Sequence, residues 1–173
     1  MEIITKNDRE RQKAIVDSWL AEKEAFVNDQ YTRNPNANPQ VIYFIADILY
    51  HNISGCEVVR SLFHDGYCLY FAEMLKTAFN RGTVCWAAPF GHFVWKDDND
   101  VCYDIEGVTI SEADYFIPIS FLGRAIDDFR HVRGVYYNAS QDDINEIIDR
   151  YKKSLLYTNT YKDIVYITEV NAQ

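Results

Sequence analysis

No apolar run in this sequence is long enough to cross a bilayer. The longest, Val41 to Tyr50, is ten residues and is broken by Asp47, whereas a spanning helix needs about 20. The N-terminal stretch Met1-Glu2-Ile3-Ile4-Thr5-Lys6 has no cationic start followed by an apolar segment, so no secretory signal is expected. Glycine and proline are scarce, at 7 and 4, which excludes collagen-like and low-complexity classes. Cysteine is scarce too. Cys56, Cys68, Cys85 and Cys102 include no C-x-x-C pair, so they form neither a disulfide framework nor a zinc ribbon. Basic residues number 17 against 26 acidic, a formal net charge of −9. Repulsion of phosphates then argues against nucleic acid and against an anionic membrane surface as partners. There is no G-x-G-x-x-G, no Walker loop, no G-x-S-x-G and no H-E-x-x-H, so no cofactor is expected. These absences describe a soluble, cytoplasmic protein with reduced thiols.

What is present is enough for a core. The 173 residues are 48% hydrophobic and 15% aromatic, with 13 Tyr and 10 Phe. A chain of that length forms one domain, 1–173, and buries roughly 70% of its unfolded surface. Ile15, Trp19 and Phe26 recur at helical intervals between Asn7 and Asn28, and the polar stretch Tyr31 to Pro39 reads as a loop. Val41, Phe44, Ile45, Ile48 and Leu49 follow an amphipathic helical spacing. Ser54-Gly55-Cys56-Glu57 has the pattern of a capping box opening a short helix. A further helix is expected from Cys68 to Asn80, with Gly82 as its left-handed cap.

After Gly82 the period shortens. Thr83 to Ala87 is a strand pattern, and Gly91–Lys96 and Val101–Ile105 flank a polar turn, Asp97 to Asp100, as a hairpin. The stretch from Ser111 to His131 is mixed and partly helical in pattern. A helix capped by Ser140 carries Ile144, Ile147, Ile148, Tyr151 and Leu155, and β-branched Ile164 to Thr168 suggest a last strand. The fold class is therefore α+β: helical over 1–82, with a small antiparallel sheet within 83–173.

The residues with readable chemistry lie between Gly66 and Gly107. Cys68 follows a glycine-containing turn and opens a helical run. Backbone N–H groups at such a position favour an anion, and a neighbouring imidazolium favours a thiolate. His92 and Asp104 are twelve apart with their midpoint at Asp98, so a hairpin pairing about that midpoint sets them opposite one another. Val94 and Cys102 then share their face, and Phe93, Trp95, Val101 and Tyr103 take the other. A carboxylate there can fix one imidazole nitrogen and leave the other for the thiol.

This order, cysteine at a helix start, histidine on a strand and aspartate on the next, resembles the papain-like cysteine hydrolase superfamily in its broad sense. That group includes NlpC-type amidases and transglutaminase-like enzymes. The resemblance implies a papain-like core, with Cys68 as nucleophile, His92 as general base and then acid, and Asp104 as the orienting residue. It further implies a hydrolase or acyl-transferase acting on amide or peptide bonds through a thioester. Papain-type enzymes place a glutamine shortly before the cysteine, where this chain has Leu62.

The same residues also suit a plain core, with Cys68 buried in a helix and His92 bonded to a strand acid. Trp86 and Trp95 flank the histidine and can form either a substrate wall or core, and His64 can line the same cleft or a solvated turn. Cys68, Cys85, His92 and Cys102 lack the short ligand spacing of zinc sites, so no metal is expected. The expected partner is a peptide or amide-containing substrate. The rival function is a non-catalytic acidic binder, an inhibitor or effector on the same scaffold, that uses its charge to occupy a basic protein partner. Oligomeric state is left open.

Overall fold

The computed structural model describes residues 6–52, 54–109, 111–123, 126 and 141–170, with side chains described as far as 156. Four helices come first: α1 (Lys6–Arg33), α2 (Pro39–Tyr50), α3 (Cys56–His64) and α4 (Cys68–Phe79). The strands β1 (Thr83–Ala88), β2 (His92–Lys96), β3 (Cys102–Asp104), β4 (Gly107–Val108) and β5 (Tyr115–Pro118) follow, with a 3-10 turn at Ile119–Phe121 and α5 at Gln141–Val170. They form one antiparallel sheet in the order β4-β3-β2-β1-β5. The protein is α+β, with a helical N-terminal half.

The helices form where periodicity and capping agree. In α2, Val41, Ile42, Ile45, Ala46 and Leu49 are buried, and the Asn38 side chain accepts the Gln40 N–H at 3.0 Å ahead of Pro39. Proline suits that first turn because its missing N–H would have no helical partner there. α1 runs five residues further than its apolar spacing suggests, through the stretch read as the start of a loop. Arg33 pairs with Asp29 one turn back at 2.7 Å, and tertiary contact holds the end of the helix as Arg33 reaches the carbonyls of Glu106 and Val108, both at 3.4 Å. The capping box before α3 does not form, because the cap residue is Gly55 and no side chain caps the helix. α4 ends on Asn80 in the left-handed conformation, φ 49°, two residues before the expected glycine. Gly82 is needed for another reason. Its φ is 72°, and a β-carbon there would lie 2.5 Å from the Lys96 carbonyl oxygen.

Two expectations about the second half are corrected. The mixed stretch after Ser111 holds a strand, β5, pairing with β1 from Cys85↔Pro118 to Ala88↔Tyr115. Ile164 to Thr168 belong to α5 rather than to a strand. A helix already propagating adds a hydrogen bond per residue, and β-branched residues resist it by only a few tenths of a kcal/mol each (about 0.5). Ser140, expected to cap this helix, and His131 lie outside the described residues.

One face of the sheet carries the main core. Val84, Trp86, Phe93, Trp95 and Tyr103 pack with Phe71, Ala72 and Leu75 of α4 and with the buried face of α2. The other face is a small cluster of Cys85, Val94 and Cys102 against Phe116. Between β2 and β3 the turn is organised by Asp97, a buried acid. Its Oδ1 accepts the N–H of Asn99 at 2.9 Å and of Val101 at 3.0 Å, and its Oδ2 accepts the Tyr103 hydroxyl at 3.0 Å. The Tyr103 oxygen in turn accepts the Asn38 N–H at 2.7 Å, tying the turn to the start of α2. Asp97→Ala removes the acceptor of three donors at once. It is expected to cost about 2–3 kcal/mol, since buried donors left unpaired cost on the order of 1 kcal/mol or more each. Urea unfolding with an unchanged m-value checks this, and a loss under about 0.5 kcal/mol would contradict it.

Candidate active site

Cys68 is the first helical residue of α4, and its preceding cap residue, Tyr67, supplies no side-chain hydrogen bond. The first helical bond there runs from the Phe71 N–H to the Tyr67 carbonyl at 3.0 Å. The residue is nearly covered, at 8% exposure. Its Sγ lies 4.0 Å from the carbonyl oxygen of Gly91, the residue before β2. His92 opens β2, so the turn between β1 and β2 sets imidazole and thiol side by side.

The His92 imidazole has two polar neighbours. Nε2 is 2.9 Å from Asp104 Oδ2, and the Cys68 thiol is the second group that acts on the ring. With Nε2 committed to the carboxylate, Nδ1 is the nitrogen left for sulfur. Burial disfavours the charged ring, whose side chain is 18% exposed. Hydrogen bonds and charge from Asp104 and Cys68 oppose burial and prevail, raising the histidine to about 9. The imidazolium is thus favoured at neutral pH.

The hairpin register is shifted from the expected one. Trp95 pairs with Tyr103 and Lys96 with Cys102, so the midpoint is Asn99 rather than Asp98. Asp97 causes the shift, because its backbone N–H bonds the Val101 carbonyl at 2.9 Å and closes a three-residue loop. A displacement of two residues preserves the face. His92 and Asp104 therefore become diagonal neighbours, a separation that an imidazole and a carboxylate can bridge.

Asp104 is itself held from two directions. Its Oδ1 accepts the Glu106 N–H at 2.8 Å across the tight turn into β4. That turn ends on Gly107, φ 89°, where a β-carbon would come 2.1 Å from Gln30 Oε1. Gln30 is fully buried near the end of α1, and its Oε1 accepts the Val108 N–H at 2.7 Å. Gln30, Asp97 and Gly107 position the site, and the sequence pattern gives no sign of the first. A glutamine toward the end of a long, highly charged helix looks like surface.

Two of the expected substrate contacts are corrected. Trp86 and Trp95 have 0% exposure and cannot touch a substrate. The Trp86 indole N–H donates to the Phe90 carbonyl, and that of Trp95 to the Arg81 carbonyl at 3.0 Å. Trp95 packs between Phe79 and Tyr103, at 5.6 Å from each ring. Large aromatics on the helix-facing side of a sheet are the natural filling of its core. His64 is different. It is exposed at the end of α3, its ring 5.3 Å from that of His92, and it pairs with Asp65 at 3.5 Å.

The four cysteines are all free. Burial pushes the Cys85 thiol up to about 11 against the pull of Lys96. Burial and the neighbouring Cys85 raise Cys102 to about 12. Those two stay neutral in ordinary conditions. Among the described residues, no group of three or more His, Cys, Asp or Glu is placed to hold a metal ion. Among them too, no helix is long and apolar enough to cross a membrane.

Compared with protein-family models, with curated proteins and with solved structures, the chain matches none.

Proposed function

We propose that this protein is a cysteine-dependent hydrolase or acyl-transferase acting on amide or peptide bonds, built on a papain-like core. The observation that carries the reading is the 2.9 Å pairing of His92 with Asp104 beside Cys68, whose sulfur meets the Gly91 carbonyl next to His92 from the first turn of α4. In this mechanism the Cys68 sulfur attacks the carbonyl carbon, and the carbonyl electron pair moves onto oxygen. Backbone N–H groups at the start of α4 stabilise that oxyanion, the role a glutamine helps to fill in papain-type enzymes. The intermediate collapses as the C–N bond breaks, and His92 gives its proton to the departing amine. Water or an amine, deprotonated by His92, then attacks the thioester and releases the thiol. Asp104 holds the ring in the orientation both halves need. The free cysteines suit a reducing compartment, and we place the protein in the cytoplasm.

The test is alkylation with iodoacetamide as a function of pH, read by peptide mapping. Cys68 should be modified first among the four cysteines despite its burial, with Cys85 and Cys102 silent near neutral pH. His92→Ala should slow labelling of Cys68 at pH 7 by about tenfold, because the thiolate loses its counter-charge. Equal rates at all four positions in the folded protein would assign Cys68 to the core instead. An acidic binder with no chemistry would follow.

A further inference from the structure

A groove of about 520 Å³ runs along the outer face of α3 and ends at Tyr67, the residue before the nucleophile. Its lining combines two kinds of surface. Val58 and Leu62, one helical turn apart, are 58% and 48% exposed. Glu57 and Asp65 stand at either end of that apolar strip, with Ser61 between them. The one cation on this helix, Arg60, is already balanced: it pairs with Glu57 at 2.6 Å and with Glu106 at 3.3 Å. Hydrogen bonds from Ser61, at 2.8 Å, and from His64 hold the Asp65 carboxyl below its ordinary value. The groove therefore presents apolar surface bounded by negative charge. That pairing of surfaces matches a long aliphatic stem with a cationic head.

We infer that this groove receives a lysine or arginine side chain on the acyl side of the scissile bond, making the substrate a basic polypeptide. The stem of such a side chain covers Val58 and Leu62, and its charge lies beside Asp65 or Glu57. The inference rests on the Cys68 reading, because only the nucleophile's position makes the groove a substrate site. Its charge agrees with the whole chain, whose net −9 draws basic polypeptides toward it.

The probes are two peptidyl acyloxymethyl ketones that differ only in lysine or glutamate at the positions before the ketone. The Cys68 sulfur displaces the acyloxy group, so a C–S bond forms as the carboxylate leaves with its electron pair. At low salt the lysine probe should label Cys68 about fivefold faster than the glutamate probe, and in 1 M salt the ratio should approach one. In the double variant Glu57→Gln, Asp65→Asn the ratio should fall in the same way without added salt. Equal rates for both probes, with Cys68 labelled by each, would overturn the groove assignment and leave the cysteine chemistry standing. Failure of both probes and of iodoacetamide at Cys68 would overturn the chemistry and the groove with it. Rates that fall together as protein concentration rises would give the groove to a second copy of the chain and likewise overturn the proposal.

Discussion

Cys68→Ser is expected to end turnover, and labelling by thiol-directed electrophiles at this position, while the protein stays folded. The substitution changes one atom in a nearly covered site. Its cost should be on the order of 1 kcal/mol, because a hydroxyl in place of a thiol needs a partner, and the Gly91 carbonyl already faces the sulfur. The chemical cost is far larger. A serine hydroxyl beside the same histidine is scarcely ionised, and loss of one member of a nucleophile–base pair removes on the order of 10³-fold or more of the rate. Asp104→Asn provides the second arm. An amide oxygen can still accept the Glu106 N–H, so the turn survives, but its NH₂ then faces Nε2 and favours the wrong ring tautomer. The expected loss is on the order of 10²-fold in a protein that still folds, with a lowered unfolding midpoint near neutral pH because the imidazolium loses its carboxylate partner. A folded Cys68→Ser protein with full activity would remove Cys68 from the mechanism. If instead the protein acts by binding alone, both variants keep the wild-type effect.

How far the sequence discloses this arrangement depends on whether a feature is local. The spacing of Val41 to Leu49 is a local signal, and α2 buries Val41, Ile45 and Leu49 of the face it marks, with Phe44 and Ile48 half-buried at its edge. The side of the sheet shared by His92 and Asp104 is also legible, because strand alternation depends only on parity. It survives the move of the hairpin midpoint from Asp98 to Asn99. The register itself is not legible, since it depends on which turn N–H groups Asp97 captures. Long-range pairs leave even less trace. Nothing near Gln30 in sequence announces its bond to Val108, 78 residues away. Trp86 and Trp95 look like a cleft wall because they flank His92 in sequence, yet in the sheet they face α4 and the core. Ile164 to Thr168 fail differently, as strand propensity overridden by a helix begun upstream.

The charge state of His92 also links the site to the stability of the whole chain. Its pKa rises from the ordinary 6.5 to about 9 in the folded protein, with burial working against the shift and Asp104 and Cys68 producing it. The folded state therefore binds the proton more tightly than the unfolded state. That contribution is fully present below pH 6.5 and is lost as pH rises through about 9, which is opposite to the behaviour of a salt-bridged carboxylate. A shift of that size corresponds to about 3 kcal/mol, at 1.36 kcal/mol for each pKa unit. Urea midpoints measured between pH 6 and pH 10 should thus decline most steeply between the two pKa values, 6.5 and about 9, and level off above them. His92→Gln should flatten the decline, since it keeps a side chain that can bond Asp104 but removes the titrating group. Cys68→Ala should reduce it only in part, because Asp104 supplies the larger share of the stabilisation. A wild-type midpoint that stays level to pH 9, or an equally steep decline in His92→Gln, would show that His92 does not carry a stabilised proton in the folded protein.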